Sequence, residues 1–425
     1  MAFARATGTF MAGQPLAAPV GPNGNPPPSE APPPLPPPPF VALPTAEEIR
    51  AIVARHAPVY DLRSTGDTVA MYLTLDAARA DEVFDAVRRD LLVVGYVPIL
   101  KYEGGEHVLV AVPKPPLRQR SPWVHLALYL ATWATTILAG TEVYFHYHYW
   151  DLLQPLQAND PGAVLSLVYA PENILGGFLL FALPLMLTLT IHELGHYVMA
   201  KRHGVAASLP FFLPLPPLFS LNIGTMGAFI SMREPIPHRR ALLDIGVSGP
   251  LCGLAIALPV TLLGLFLMQR EPVVLPPVEG LAYLGAPLLY DALSAPFHLN
   301  PSQLIHPTAF AGWVGLLVTG INLLPAGQLD GGHVAHALLG DRSKYLSFAA
   351  VGALLIMGIG LPAMGAFPGF RGYGGWLIFA LLVAFLGVHH PEPLNAVGKL
   401  DARRAAVGWI AMLVLVVCFT PLPVS

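Results

Sequence analysis

From Pro122 onward, long apolar stretches alternate with short polar or Pro/Gly-containing connections. About seven of them, at 122–143, 173–203, 241–268, 308–326, 344–366, 374–390 and 404–422, are long enough or nearly so to cross the roughly 30 Å of bilayer hydrocarbon. The shortest are candidates for half-spans. Residues 279–296 form an eighth apolar element. Pro287, Asp291 and Pro296 interrupt it, so it reads as re-entrant or interfacial.

Residues 46–117 show a different pattern, with ordinary charge and mixed periodicity. Thr45-Ala46-Glu47-Glu48 predicts a helix start with a capping box. Val69 to Leu73, Leu91 to Leu100 and Val108 to Val112 predict strands, Ala77 to Arg89 predicts a helix, and Gly104-Gly105 predicts a turn. The segment reads as a small soluble α+β domain. Before it, residues 1–45 carry a proline-crowded stretch from about residue 14, which predicts a disordered or polyproline-type linker. An SH3-type ligand role is a lesser alternative for this stretch. The predicted fold class is mainly α: a polytopic membrane helix bundle (residues 122–425) preceded by that α+β domain.

Composition agrees with a membrane class. Hydrophobic residues make up 54% and charged residues 12% of the 425 residues, against about 25% charged in ordinary globular chains. Mean hydropathy is +0.58. The net charge of -3 gives no basic excess, so nucleic acid is not an expected partner; the lipid bilayer is. Cys252 and Cys418 both lie in apolar runs and read as buried, inert thiols. Met1 to Val20 holds one Arg and no sustained apolar core, a poor secretory signal; its lack of acidic residues leaves a transit peptide open.

Lys and Arg fix an orientation. Lys101, Lys114, Arg118 and Arg120 precede the first span, whereas 144–172 has none. Lys201, Arg202, Arg239 and Arg240 flank the second connection, Arg342 and Lys344 the fourth, and Lys399, Arg403 and Arg404 the sixth. The alternation follows the positive-inside rule and places the N-terminal domain in the cytoplasm. A bacterial inner membrane is the expected location.

The second stretch contains His192-Glu193-Leu194-Gly195-His196. On a helix, positions i and i+4 share a face, so both imidazoles can hold one zinc ion with Glu193 beside it to act on a water. His and Glu are costly in a membrane span unless paired, solvated or metal-bound. The alternative is a polar helix face lining a water-filled cavity. A catalytic zinc needs a third ligand, and Asp330, in Asn322-Leu323-Leu324-Pro325-Ala326-Gly327-Gln328-Leu329-Asp330-Gly331, is a candidate. The loop charges put it at the cytoplasmic end of the fourth span, at a depth similar to His192 and His196. Asp330-Gly331-Gly332 also reads as a turn.

Taken together, the H-E-x-x-H motif and Asn322, Pro325, Leu329, Asp330 and Gly331 resemble the site-2 protease family of intramembrane zinc metalloproteases, whose second motif is N-x-x-P-x-x-x-L-D-G. The resemblance covers about residues 173–340. It implies one zinc held by His192, His196 and Asp330, Glu193 as catalytic base, and a transmembrane protein as substrate. It implies that Asn322 shapes the site, and that Asn222 to Ile230 is a glycine-rich, strand-like re-entrant loop. Gly224, Thr225 and Gly227 of that loop would lie along the substrate. Ser248-Gly249-Pro250 resembles the family's Gly-Pro element, where small residues let helices approach. No PDZ-like insertion separates the two motif-bearing spans. A soluble domain ahead of the membrane core is reminiscent of the plastid and cyanobacterial branch.

The remaining histidines have plainer readings. His333 and His336 read as polar residues at a helix start or as partners of the metal ligands, and His203 and His238 as solvated. His146, His148, His389 and His390 sit at span ends, as do Trp123, Trp150, Trp313, Trp376 and Trp409, while Trp133 reads as a packing residue. The expected function is hydrolysis of peptide bonds in or near transmembrane segments. The alternatives are a membrane transporter or metal-binding channel and a non-catalytic adaptor with a structural zinc.

Overall fold

The computed structural model describes residues 44–115, 121–150, 161–216, 223–274, 284–360, 372–387 and 390–423. Most of the proline-rich stretch therefore lies outside the described residues.

Residues from Thr45 to Pro113 form one antiparallel sheet with two helices. Helix α1 (Ala46–Ala54) opens on the expected capping box: Thr45 Oγ1 accepts from the Glu48 amide and the Glu48 carboxylate accepts from the Thr45 amide. Strands β1 (Val59–Thr65), β2 (Thr68–Leu73), β3 (Tyr96–Glu103) and β4 (Glu106–Pro113) lie in the order β1-β2-β4-β3. Helix α2 (Ala80–Val93) covers one sheet face with Phe84, Val87 and Leu91, at helical spacing, against Val69, Met71 and Leu109. Two differences from the sequence reading follow from this packing. Leu91 to Val93 belong to α2, because Leu91 continues its buried stripe, and Gly95 at φ 83 makes the turn into β3. Strand β1 was not anticipated; its half-buried edge has no strict alternation to announce it.

The membrane core starts at α3 (Pro122–His148), followed by a short helix α4 (Pro161–Val168). Helix α5 (Pro171–Arg202) carries a π-turn at Phe178–Ala182, just before Pro184. Proline lacks the amide an α-turn needs, so a local widening there costs little. After α5 come β5 (Phe211–Pro214) and β6 (Thr225–Phe229), then α6 (Arg239–Arg270), a short α7 (Leu288–Ser294), and α8 (Pro307–Asn322). Helices α9 (Asp330–Leu339) and α10 (Ser343–Ile359) join through a tight turn at Gly340–Arg342. Helices α11 (Gly375–Leu386) and α12 (Ala402–Cys418) complete the described bundle.

Among the described residues, four stretches are long and apolar enough to span a membrane: α3, α5, α6 and the joined α9–α10. Helices α8, α11 and α12 have 16, 12 and 17 residues, about 24, 18 and 26 Å at 1.5 Å per residue. They fall short of a full hydrocarbon crossing, so the expected seven spans are four long helices and three shorter ones. Tight contacts hold the bundle together. A Cβ on Gly264 would lie 2.1 Å from the Ala309 amide, and one on Gly312 would lie 2.4 Å from Thr261 Oγ1, so α6 and α8 meet backbone to backbone.

The α+β layer packs against the ends of α5, α6 and the segment before α12. Arg88 donates to the carbonyl of Gly204 at 2.8 Å, Arg240 pairs with Asp81 at 3.0 Å, and Asn395 donates to Asp81 at 2.8 Å. His203 and His238, expected in solvent, are both engaged: His203 pairs with Asp244 at 3.0 Å, and His238 Nδ1 caps α6 by accepting from the Ala241 amide. The Lys/Arg-rich connections near residues 202, 239 and 399 thus gather on the face that carries the α+β layer, called the near face below.

Glu234 is the hub of this junction. Its carboxylate takes Lys114 Nζ at 2.5 Å, Arg88 at 3.5 Å and the Ala206 amide at 3.3 Å. Burial works against its charge, but Lys114, the Ala206 amide and Arg88 outweigh it and hold the carboxyl below its ordinary value of 4.5. Glu234→Gln leaves Arg88 buried without its counter-charge, an expected cost of about 2–4 kcal/mol, read as a lowered melting midpoint. The sign with pH follows. A depressed carboxyl stabilises fully above its unfolded-state value and loses that contribution as pH falls through the lower folded value. The wild type is therefore expected to lose stability below pH 4.5, with Glu234→Gln showing a shallower decline over that range.

Candidate metal centre

Helix α5 places His192 and His196 one turn apart, both buried. Asp330, the first residue of α9, faces them. The alternative reading of Asp330-Gly331-Gly332 as a turn does not hold, since these residues form the first turn of that helix. A Cβ on Gly331 would lie 1.9 Å from the Leu323 carbonyl oxygen and one on Gly332 2.2 Å from that of Gly327. Glycine there lets the Leu323 to Gly327 loop fold back on the helix start and presents Asp330 to α5.

His192 Nε2 and His196 Nε2 are 3.2 Å apart, and Asp330 Oδ2 lies 3.3 Å from the first and 3.1 Å from the second. A tetrahedral ion with bonds of about 2.1 Å has donors about 3.4 Å apart. The triangle therefore fits one zinc, with a fourth position left for a reactant. Among the described residues this is the one group of three or more such donors close enough to share an ion. The His196 ring is oriented by a 2.8 Å hydrogen bond between Nδ1 and the Ile245 carbonyl, which leaves Nε2 for the site. Asn322 Nδ2, at the end of α8, lies 3.2 Å from His192 Nε2. Glu193 is buried, and its Oε2 has no hydrogen-bond partner. A buried carboxylate oxygen without a partner is costly, so the site favours a water or a cation beside Oε2.

Helix α6 forms the seat for both rings, a role the sequence reading gave only as helix packing. A Cβ on Gly249 would lie 2.0 Å from His196 Nε2, and one on Gly253 would lie 3.0 Å from His192 Nδ1. A Cβ on Gly195 of α5 would lie 2.7 Å from the Ser248 carbonyl oxygen. The signal was present as Gly249-Pro250 and Gly253, four residues apart on one helix face. Cys252, beside them, is half-buried and free, not fully buried as expected, while Cys418 is buried and free.

The glycine-rich loop is a two-stranded ribbon. Phe211 pairs with Phe229, Phe212 with Ala228 and Pro214 with Thr225, and bonds between Ser208 and Ser231 and between Ala206 and Arg233 extend it toward the near face. Asn222 lies outside the described residues. Gly224 (φ 78) packs on α3, where a Cβ would lie 2.3 Å from Thr136 Cα, and its carbonyl accepts from Thr135 at 2.6 Å. Its role is therefore in the docking of the loop. Thr225 is buried, donates to Leu213 and accepts from the Gly227 amide. Thr225, Met226, Gly227 and Ala228 line a cavity of about 430 Å³ together with His192, Glu193 and Asn322.

His333 and His336 do not join the triangle. His333 Nδ1 hydrogen-bonds His390 Nε2, and the His336 ring stacks on His390. His389 lies outside the described residues. Trp123 and Trp409 are exposed as expected of interfacial aromatics, but Trp313 and Trp376 are each only 3% exposed. Both line the cavity that holds His192 and Glu193.

Among the described residues the fold thus offers four helices long and apolar enough to span a membrane, and the site a His-His-Asp triangle on an H-E-x-x-H helix that fits one zinc ion. Residues 180–361 match the sequence model of Peptidase family M50. The chain is similar to the probable zinc metalloprotease EGY1, chloroplastic, of Arabidopsis thaliana, 30% identical over 251 residues, covering 55% of this chain and 41% of that protein. It is also similar to the probable zinc metalloprotease EGY2, chloroplastic, of the same plant, 33% identical over 189 residues, covering 41% of this chain and 31% of that protein. The chain thus spans less than half the length of these relatives. Their names place them in the chloroplast, which gives no support to the bacterial inner membrane expected from the sequence. No solved structure matches.

Proposed function

We propose that this protein is an intramembrane zinc metalloprotease that hydrolyses peptide bonds in or near transmembrane segments of other membrane proteins. The observation that carries this is the triangle of His192, His196 and Asp330 beside Glu193, whose Oε2 has no partner in the protein, with His192 and Glu193 lining one cavity together with a strand edge. In this reading His192, His196 and Asp330 hold the ion. When bound, zinc supplies Lewis acidity for the attacking water and for the scissile carbonyl. Glu193 Oε2 takes the water's proton and returns it to the leaving amine. The Ile245 carbonyl and the glycine seat of α6 keep the His196 ring in place, and Asn322 borders the reacting position. Among the described residues β6 pairs on one side, with β5, so its other edge is available for an extended substrate strand. The substrate unwinds locally to present its carbonyls, since a helix engages them in its own bonds.

The Lys/Arg-rich near face supports a cytoplasmic side, or its organellar equivalent, for the 46–117 layer. His192 and His196 lie about 9–15 Å from that end of α5 by helical rise. A transporter is the rival class. The two separate cleanly in proteoliposomes holding the purified chain and a single-span model substrate. The protease reading predicts two fragments and no zinc flux; flux without fragments overturns it.

A further inference from the structure

Trp313 and Trp376 are anchored at both ends of their side chains. Each indole N–H donates to a backbone carbonyl, Trp313 to Gly285 at 2.9 Å and Trp376 to Pro421 at 2.7 Å. Phe310 stacks on Trp313 and Phe419 packs on Trp376, so the rings are held as fixed walls. Gly285 and Pro421 lie at the end of the bundle away from the α+β layer: the Gly285 amide bonds Pro423, just past α12, whose opposite end is tied to α6 by Arg404 and Asp244. The cavity that begins at His192 and Glu193 therefore runs toward the far face as an aromatic trench, bordered also by Phe379 and Val314.

A second cavity, of about 650 Å³, takes over on the near side. The same backbone segment lines both. Residues 225–228 border the trench and 229–236 border the second cavity, where Gln328, His333, His390 and Glu392 supply polar walls. A chain laid along this edge would have apolar surroundings on the far side of the zinc site and polar surroundings on the near side.

We propose that the trench walled by Phe310, Trp313, Trp376 and Phe379 is a specificity subsite for bulky apolar side chains of the substrate stretch on the far-face side of the scissile bond. The polar cavity takes the stretch on the other side. The inference rests on the protease reading and names the substrate class: a segment that passes from large apolar residues to polar ones across the cleaved bond. A lipid-facing role is a poor fit for Trp313 and Trp376, which are buried and open to the same space as Glu193. Because side chains of an extended strand alternate, every second residue meets the aromatic wall. Positions two and four residues from the scissile bond on the far side are the ones selected.

The test compares two single-span substrates in proteoliposomes with the full chain, one with Leu or Phe at those positions and one with Ala. The wild type is expected to favour the bulky substrate by about ten-fold or more in kcat/KM. Val314→Phe, which fills the trench, brings that ratio to one or below, and Trp376→Phe, which removes the N–H anchor, lowers it partway. Equal cleavage of both substrates by the wild type, or an unchanged ratio in Val314→Phe, overturns the subsite. If the wild type cleaves neither substrate, the protease reading has failed, and the subsite is judged by binding. A benzophenone-bearing apolar peptide is photo-crosslinked to Glu193→Gln: adducts on α8 and α11 sustain the subsite, and adducts elsewhere or none overturn it.

Discussion

Glu193→Gln is expected to lower cleavage of a transmembrane substrate by about 10²–10⁴-fold while zinc stays bound, the range contributed by a positioned general base. The amide keeps the shape of the carboxylate and cannot take a proton. Glu193 is not part of the donor triangle, whose three members lie 3.1–3.3 Å from one another. Its own Oε2 has no partner in the protein. Metal content and turnover should therefore separate in this variant. Zinc analysis and a cleavage time course on the same preparation check it; full activity removes Glu193 from the chemistry.

Gly249→Ala is expected to weaken zinc binding by about 10–100-fold, the cost typical of disturbing the support of a metal-bound histidine. The added methyl would stand 2.0 Å from His196 Nε2, within the volume of the imidazole, so the ring must leave its position. In a helix interior Ala is favoured over Gly by about 1 kcal/mol, so lost metal cannot be ascribed to a weaker helix. Gly352→Ala is the matched control, because a Cβ there meets nothing within 4 Å. It should leave zinc affinity unchanged and stability equal or slightly raised. Competition with a chromogenic chelator measures both variants. Wild-type affinity in Gly249→Ala would mean that α6 does not seat His196.

The parts of this molecule that were legible in its sequence are those with a strong local rule. H-E-x-x-H gives one helix face, the capping box at Thr45 fixes a helix start, and the long apolar runs mark α3, α5 and α6. Asp330 was legible as a candidate ligand, and a helix start was legible at His333 and His336, but not that the helix begins at Asp330 itself. Asp-Gly-Gly is turn chemistry when read locally, and only the closeness of Leu323 to Gly327 shows why a helix start needs two glycines. The seat made by Gly249 and Gly253 was hidden for a similar reason: a glycine announces that something approaches, not what. Trp313 and Trp376 were misplaced because tryptophan near a span end usually lies in the interface. Here Gly285 and Pro421, distant in sequence, accept the indole protons and draw both rings inside. Short spans such as α11 lose to the same limitation, since 12 apolar residues do not say whether a helix crosses the membrane or leans on its neighbours.

The most direct test of the account is the zinc content of the purified chain, wild type against Asp330→Ala, on protein shown to be folded. About one zinc per wild-type chain is expected, with a marked loss of metal in Asp330→Ala, since removing one of three protein donors leaves His192 and His196 alone to hold the ion. Folded wild-type protein without zinc, or Asp330→Ala with its metal undiminished, would contradict it.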